Sequence, residues 1–376
     1  MPRRLPLIAS LALLPALAAC GSDGTSAPPP PPSETAMAAV SKDPGAPREQ
    51  LARATDALFT AEEIGETRAL IVMYRGEIVA ERYADGFDAK TRFLGWSLSK
   101  SVTAVAIGIL VAEGKLRLDE SPPVRHWQRP GDARGEITLR QLLQMRSGLR
   151  HTESAEPAYD ATTVQLLFLA GRDDMAAEAE AQPLEAEPGR QFKYSTASSI
   201  ILSDVMARVL SPRKDAASRQ AEVSHFMHDR LFGPVGLSSM TAEYDAAGTM
   251  IGGAMIHATA RDWARFGEFL RHGGAVKGAQ VVPRGWVAFM RRPSPRAPDY
   301  GAGLWLNRNS GGDRRVLFPG QAPGSLFAMA GHMGQYVLVS PEQKLTVVRL
   351  GKTPEADTRK LVDTLAKIVA LYPAVN

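Results

Sequence analysis

The sequence predicts a mixed α/β (α+β) fold: an antiparallel sheet built from both ends of the chain, flanked by N- and C-terminal helices, with a mostly helical subdomain inserted between them. Three observations carry this reading. Strand-like runs rich in β-branched and aromatic residues occur before residue 85 and again after residue 324. A helical run that is apolar on all sides follows the first pair, and such a helix belongs inside a large domain. The section between these ends shows helical patterning instead.

The chain opens Met1-Pro2-Arg3-Arg4, runs apolar from Leu5 to Ala19 and then reads Leu17-Ala18-Ala19-Cys20-Gly21. A basic start, a short apolar core and small residues before a cut site predict a signal peptide over residues 1–19. The core is shorter than the ~20 residues of a spanning helix, and Pro6 and Pro15 interrupt it. Leu17-Ala18-Ala19-Cys20 resembles a bacterial lipobox, which implies that Cys20 becomes the lipidated first residue of the mature chain. Cys20 is the only cysteine, so no intramolecular disulfide forms. The expected location is the periplasmic side of the bacterial cell envelope, with a lipid anchor in a membrane. Gly21 carries no inner-membrane retention signal, which favours the outer membrane. Residues 20–50 are rich in Pro, Ser, Gly and Ala, with five consecutive prolines from Pro28 to Pro32, and are expected to form a tether.

Residues 51–376 are expected to form the folded domain, with a sheet half at about 60–115 and 296–376 and a helical half at about 116–295. Arg68–Tyr74 and Glu77–Tyr83, joined at Arg75-Gly76, predict a β-hairpin. Ser325–Ala330, Gln335–Ser340 and Lys344–Leu350 predict three antiparallel strands, the last two joined at Pro341-Glu342-Gln343. Thr353-Pro354-Glu355 starts a terminal helix whose apolar face holds Leu361, Val362, Leu365, Ile368 and Val369. Helical patterning marks Leu139–Met145, Ser199–Leu210 and Ala260–Leu270.

The charge balance narrows the partners. Losing Arg3 and Arg4 with residues 1–20 lowers the formal charge from +4 to +2. Acids and bases are interleaved with no basic run, so nothing supports nucleic-acid binding.

The chemistry-bearing segment is Trp96-Ser97-Leu98-Ser99-Lys100-Ser101-Val102, which leads into the apolar run ending at Ala112. Residues three apart share a helix face, so Ser97 Oγ and Lys100 Nζ can meet. Desolvation and the positive helix end both push a lysine there toward its neutral, basic form. An N-cap role explains Ser97 alone, but not a lysine on a buried helix. The S-x-x-K spacing is that of serine hydrolases with a lysine partner. Ser211-Pro212-Arg213-Lys214 has the same spacing, but its proline and adjacent charge read as a solvated loop.

With these pieces in place the chain resembles the serine β-lactamase-like superfamily, which includes class C β-lactamases, related esterases and penicillin-binding DD-peptidases. Within it, the chain is most similar to the 6-aminohexanoate-dimer hydrolase branch. The resemblance spans about residues 60 to 352. It rests on Ser97-Leu-Ser-Lys100, Leu142-Leu-Gln-Met-Arg-Ser-Gly-Leu149, Asp174-Met-Ala-Ala177 and Pro183-Leu184, in order. It continues with Pro188-Gly189 to Tyr194-Ser195, Ala258 to Gly267, Tyr300-Gly-Ala-Gly303 and Gly331-His-Met-Gly-Gln335.

The resemblance implies a β-lactamase/transpeptidase-like fold and an acyl-enzyme on Ser97, with Lys100 and Tyr194 sharing the proton traffic. An ammonium beside the phenol is expected to favour phenolate, so Tyr194 and Lys100 would titrate as a unit. Thr196 stands where the family usually has asparagine toward the substrate, and His332-Met333-Gly334 where it usually has lysine-threonine-glycine. The resemblance implies backbone oxyanion donors at Ser97 and Gln335, substrate contacts at Thr196 and His332, and close substrate approach at Gly334. No metal or organic cofactor is implied.

Three readings stay open: an amidase or esterase on small-molecule amides or esters, a β-lactamase or DD-peptidase, and a non-catalytic envelope binding protein. His225 and His228 lack a third ligand at zinc spacing and are expected on the surface. No G-x-S-x-G is present, Trp263 and Phe266 are expected in the core, and Arg146 as a structural partner. His151 and Tyr159 are placed in a loop that could rim the cleft.

Overall fold

The computed structural model describes residues 31–374; the expected signal peptide and Cys20 lie outside the described residues. Residues 34–50, expected as tether, are largely folded. Helix α1 (Glu34–Ala39) is capped by Ser33, whose Oγ accepts the Ala36 N–H at 3.1 Å, and α2 (Arg48–Thr60) follows. Ala36, Val40, Leu51, Ala52 and Leu58 are buried. The alanines that read as spacer composition are the small side chains that let these helices lie close on the sheet.

The predicted hairpin is β1 (Glu66–Tyr74) and β2 (Glu77–Tyr83), followed by β3 (Arg92–Leu94) and helix α3 (Ser99–Ala112). Helices α4 (Leu139–Leu143), α5 (Thr162–Phe168), α6 (Met175–Ala181), α7 (Thr196–Leu210), α8 (Ala216–Met227) and α9 (Gly233–Val235) follow in the inserted section, joined by loops and short turns. Short strands β4 (Thr241–Ala242) and β5 (Ile256–Thr259) lead to α10 (Ala260–Arg271). Then come β6 (Ala275–Val276), β7 (Ala279–Gln280) and α11 (Arg284–Met290). The chain returns through β8 (Trp305–Leu306), β9 (Phe327–Gly331), β10 (Gln335–Ser340) and β11 (Leu345–Lys352) to α12 (Thr358–Ala370).

The main sheet has the order β2-β1-β11-β10-β9-β8, and its neighbours are antiparallel. β1 pairs with β11 from Glu66–Lys352 to Tyr74–Leu345, so both ends of the chain share one sheet, as expected. Alternation along the strands sends residues to two cores. Leu70, Val72, Leu338 and Val347 join the core formed with α1, α2 and α12. Ala69, Ile71, Val337, Val339 and Val348 join the core on the opposite face. Full burial of one such aliphatic side chain contributes about 1.5–3 kcal/mol.

α10 belongs to this sheet layer, although it falls in the expected helical half. Thr346 Oγ1 of β11 donates to Glu268 of α10 at 2.6 Å, and Trp263 and Phe266 are buried, as expected. α3 runs through the interior with Ser99 to Leu110 buried, and Trp286 Nε1 of α11 donates to its Ala104 carbonyl at 3.0 Å. His225 and His228 are exposed, and Arg146 donates to the Gly189 carbonyl and to Gln144.

Candidate active site

Ser97 lies in the 3-10 turn Trp96–Leu98 that runs into α3, so it precedes the α-helix. Trp96, the residue before it, has φ +48°, a left-handed conformation that is costly for a bulky side chain and recurs at functional sites. Lys100 sits one turn on and is only 3% exposed. Its Nζ is 2.9 Å from Ser97 Oγ, 2.8 Å from Thr196 Oγ1 and 2.8 Å from the Gly253 carbonyl. Burial pushes its pKa down to about 8, against the opposing pull of the Glu153 carboxylate. The buried, partnered lysine anticipated from the S-x-x-K segment is therefore present.

Tyr194 lies just before α7, with Lys100 Nζ 5.0 Å from its ring centroid. Trp305 and Tyr300 pack against the ring. The expectation of a phenolate does not hold. Burial, then Tyr300 and the Glu153 carboxylate, push the phenol well above its ordinary value, outweighing a hydrogen bond with Ser97. The aromatic walls and a nearby negative charge keep Tyr194 a phenol, able to donate a proton.

Thr196, expected to reach toward substrate, points inward and is buried. Ser195 caps α7 through the Ser198 N–H, which leaves Thr196 at the first helical position with a free N–H. The Glu153 carboxylate takes that N–H, and the Thr196 hydroxyl donates to its other oxygen at 3.0 Å. His151 Nε2 lies 2.9 Å from Glu153 Oε1 and 3.0 Å from Thr163 Oγ1. His151 is thus buried behind the site, while Tyr159, its companion in the expected rim, is 60% exposed. Burial raises the Glu153 pKa, but Lys100, His151 and the Thr196 N–H outweigh it and hold it at about 2. Glu153 was not singled out from the sequence, since no spacing relates it to Ser97 or Tyr194; it is 43 positions from Thr196.

The turn between β9 and β10 forms the opposite wall. His332 is exposed at the cleft, edge-on to Trp96 at 5.2 Å between ring centroids. Gln335 is the residue implied as the second oxyanion donor. It begins β10, opposite Gly331 on β9, and its side chain is tied to the His332 and Gly351 carbonyls and the Gly351 N–H. Gly331 lies close to the Ser97 N–H: a Cβ there would stand 3.3 Å from that nitrogen and 2.4 Å from the Gly95 carbonyl oxygen. Gly334 lines the cleft, as expected, and is also closely packed: a Cβ there would meet Leu361 at 2.6 Å and the Arg349 guanidinium at 2.8 Å. Arg349, fully buried, braces the turn by donating to the Met333 and Gly334 carbonyls, and anchors it to Thr67 and Glu66 of β1.

Between these walls is a cleft of about 320 Å³, lined by Ser97, Tyr194, Trp305, Gly331, His332 and Glu355 among others. That is the size of a small-molecule site. A hydroxyl in contact with a buried amine, beside a protonated phenol, is suited to nucleophilic attack on a carbonyl. Among the described residues, no cluster of three or more His, Cys, Asp or Glu could hold a metal ion.

The Beta-lactamase family profile matches residues 61–371. A 6-aminohexanoate-dimer hydrolase of Paenarthrobacter ureafaciens is 28% identical over 339 residues, covering 86% of this chain and 83% of that protein. Among solved structures, a family VIII carboxylesterase superposes with a TM-score of 0.60 at 16% identity, covering 85% of this chain and 95% of the other. A D-stereospecific amidohydrolase from Streptomyces sp. superposes with a TM-score of 0.57 at 19% identity, covering 83% and 98%. These two structures share the fold. Together with the profile match over most of the folded chain, the site places this protein as a hydrolase of the β-lactamase family.

Proposed function

We propose that the protein hydrolyses short linear amides or esters through an acyl-enzyme on Ser97. The observation that carries this reading is the buried Lys100, held against Ser97 Oγ at 2.9 Å with its pKa pushed down to about 8. As Ser97 Oγ bonds to the carbonyl carbon, its proton passes to neutral Lys100 Nζ. The carbonyl oxygen becomes an oxyanion beside the Ser97 N–H, and the Gly331–His332 peptide, adjacent on the cleft wall, supplies the second N–H. Tyr194, as a phenol, donates its proton to the leaving nitrogen or oxygen and regains one from Lys100. Water then attacks the ester carbonyl, and Ser97 recovers its proton.

Two features favour linear amides and esters over β-lactams. Thr196 faces Lys100 and Glu153, away from substrate, and His332 stands in place of a permanently charged lysine. The similarity to a 6-aminohexanoate-dimer hydrolase supports the amide side of this class. We propose further that the chain is exported to the cell envelope and lipidated at Cys20, which alkyne-palmitate labelling lost in Cys20→Ala would establish.

Intact-mass spectrometry with p-nitrophenyl butyrate, a linear 6-aminohexanoate dimer and a penicillin tests the enzymatic reading. Turnover of the first two, with no lasting penicillin adduct, is expected. A stable penicilloyl group on Ser97 would instead indicate a cell-wall enzyme, and no acylation by any acyl donor, including a fluorophosphonate, a non-catalytic protein.

A further inference from the structure

We propose that Glu153 is a positioning residue that sets the direction of the hydrogen-bond chain Glu153–Thr196–Lys100–Ser97, so that the Lys100 lone pair faces the Ser97 hydroxyl. The inference rests on the hydrolase reading above and concerns how Lys100 becomes a usable base.

The number of protons on each partner fixes the direction of each bond. Thr196 has a single hydroxyl proton, and its Oγ1 is 3.0 Å from Glu153 Oε2 and 2.8 Å from Lys100 Nζ. A carboxylate only accepts, so the Thr196 proton goes to Glu153 and a lone pair is left for Lys100. The Gly253 carbonyl, 2.8 Å from Nζ, likewise only accepts. A neutral amine has two N–H groups, and these two acceptors take both. Its lone pair then points to the one remaining partner, Ser97 Oγ at 2.9 Å, ready to receive the serine proton.

Glu153 is held for this task from behind. Its Oε1 accepts the Thr196 N–H and faces His151 Nε2 at 2.9 Å, so Nε2 is the protonated nitrogen; His151 Nδ1 is buried with no partner. The charged and titratable groups around the chain are Lys100 on α3, His151 and Glu153 on the loop after α4, Tyr194 before α7, and Tyr300. His332 and Glu355 stand on the far cleft wall. Glu153 is the carboxylate whose charge raises the Lys100 pKa against desolvation.

Glu153→Gln reverses the chain. The Thr196 N–H and the His151 Nε2–H both need an acceptor, so the single amide oxygen takes the Oε1 place and the amide NH₂ faces Thr196 Oγ1. Thr196 then turns its own proton onto the Lys100 lone pair, and Ser97 meets an N–H. The expected result is a kcat lower by about 100-fold with KM within roughly threefold, the scale of losing a general base. The acid limb of kcat/KM moves to lower pH, because a neighbouring negative charge is gone. Adding Thr196→Val removes the misdirected hydroxyl and restores kcat by about fivefold or more over Glu153→Gln alone.

A kcat within about threefold of wild type, an unmoved acid limb, or a double variant worse than Glu153→Gln would overturn the proposal. Should Glu153→Gln fail to fold by thermal unfolding, Thr196→Val alone carries the test. Its kcat is expected to fall about tenfold or more and Thr196→Ser to restore it, whereas an unchanged Thr196→Val would overturn the proposal. Wild-type Ser97 that accepts no acyl group defeats the hydrolase reading itself, an outcome distinct from normal kinetics in the Glu153 variants.

Discussion

Ser97-x-x-Lys100 and Ser211-x-x-Lys214 have the same spacing and opposite surroundings. The first enters a helix whose residues from Ser99 to Leu110 are buried, and its lysine is 3% exposed with three oxygens around Nζ. The second follows the end of α7, where the Ser211 N–H closes the helix on the Ala207 carbonyl. Its hydroxyl donates to the Arg213 carbonyl at 2.9 Å, and Lys214 is exposed. In water an ammonium is well solvated and stays charged. In the interior it loses that solvation, and its pKa falls until the amine becomes a base near neutrality. Reactivity resides in the burial of the pair, not in its spacing.

The largest break between the two pairs is expected from the serines. Ser97→Ala should lower p-nitrophenyl butyrate turnover by about 10⁴-fold or more and abolish the acyl adduct, while Ser211→Ala stays within about twofold. The lysines come next: Lys100→Ala is expected to lose about 10³-fold in kcat and Lys214→Ala nothing measurable, on the same assay. Tyr194→Phe should cost about 10²-fold, more on amides than on activated esters, because an amine leaving group needs the phenol proton. A loss equal on both substrate types would show that Tyr194 acts before leaving-group departure.

The smallest effect is graded by pH. Lys100 accepts the Ser97 proton only when neutral, so kcat/KM should rise with pH through about 8 and level off above it. Below the limb it should fall about tenfold per pH unit. Lys214→Ala leaves this profile unmoved if the buried pair alone carries it.

Much of this could be read along the chain, for physical reasons that differ by element. β1, β2, β10 and β11 were legible because their alternation and β-branched content are local. α1 and α2 were not, because a few alanines beside prolines have the composition of a linker until a sheet covers them. The closeness of Gly331 to the Ser97 N–H was not legible either, because strand register rather than motif order sets it.

What the residues dictate unaided is local: periodicity, helix entry, and the pairing of Ser97 with Lys100 one turn apart. Family membership could also be read from ordered motifs. Tertiary structure alone decides that Lys100 is buried deeply enough to be a base, that Tyr194 remains a phenol, and that Glu153 reaches Thr196 across 43 positions. A pKa and the direction of a hydrogen bond depend on solvent exclusion and on partners distant in the chain, and folding is what supplies both.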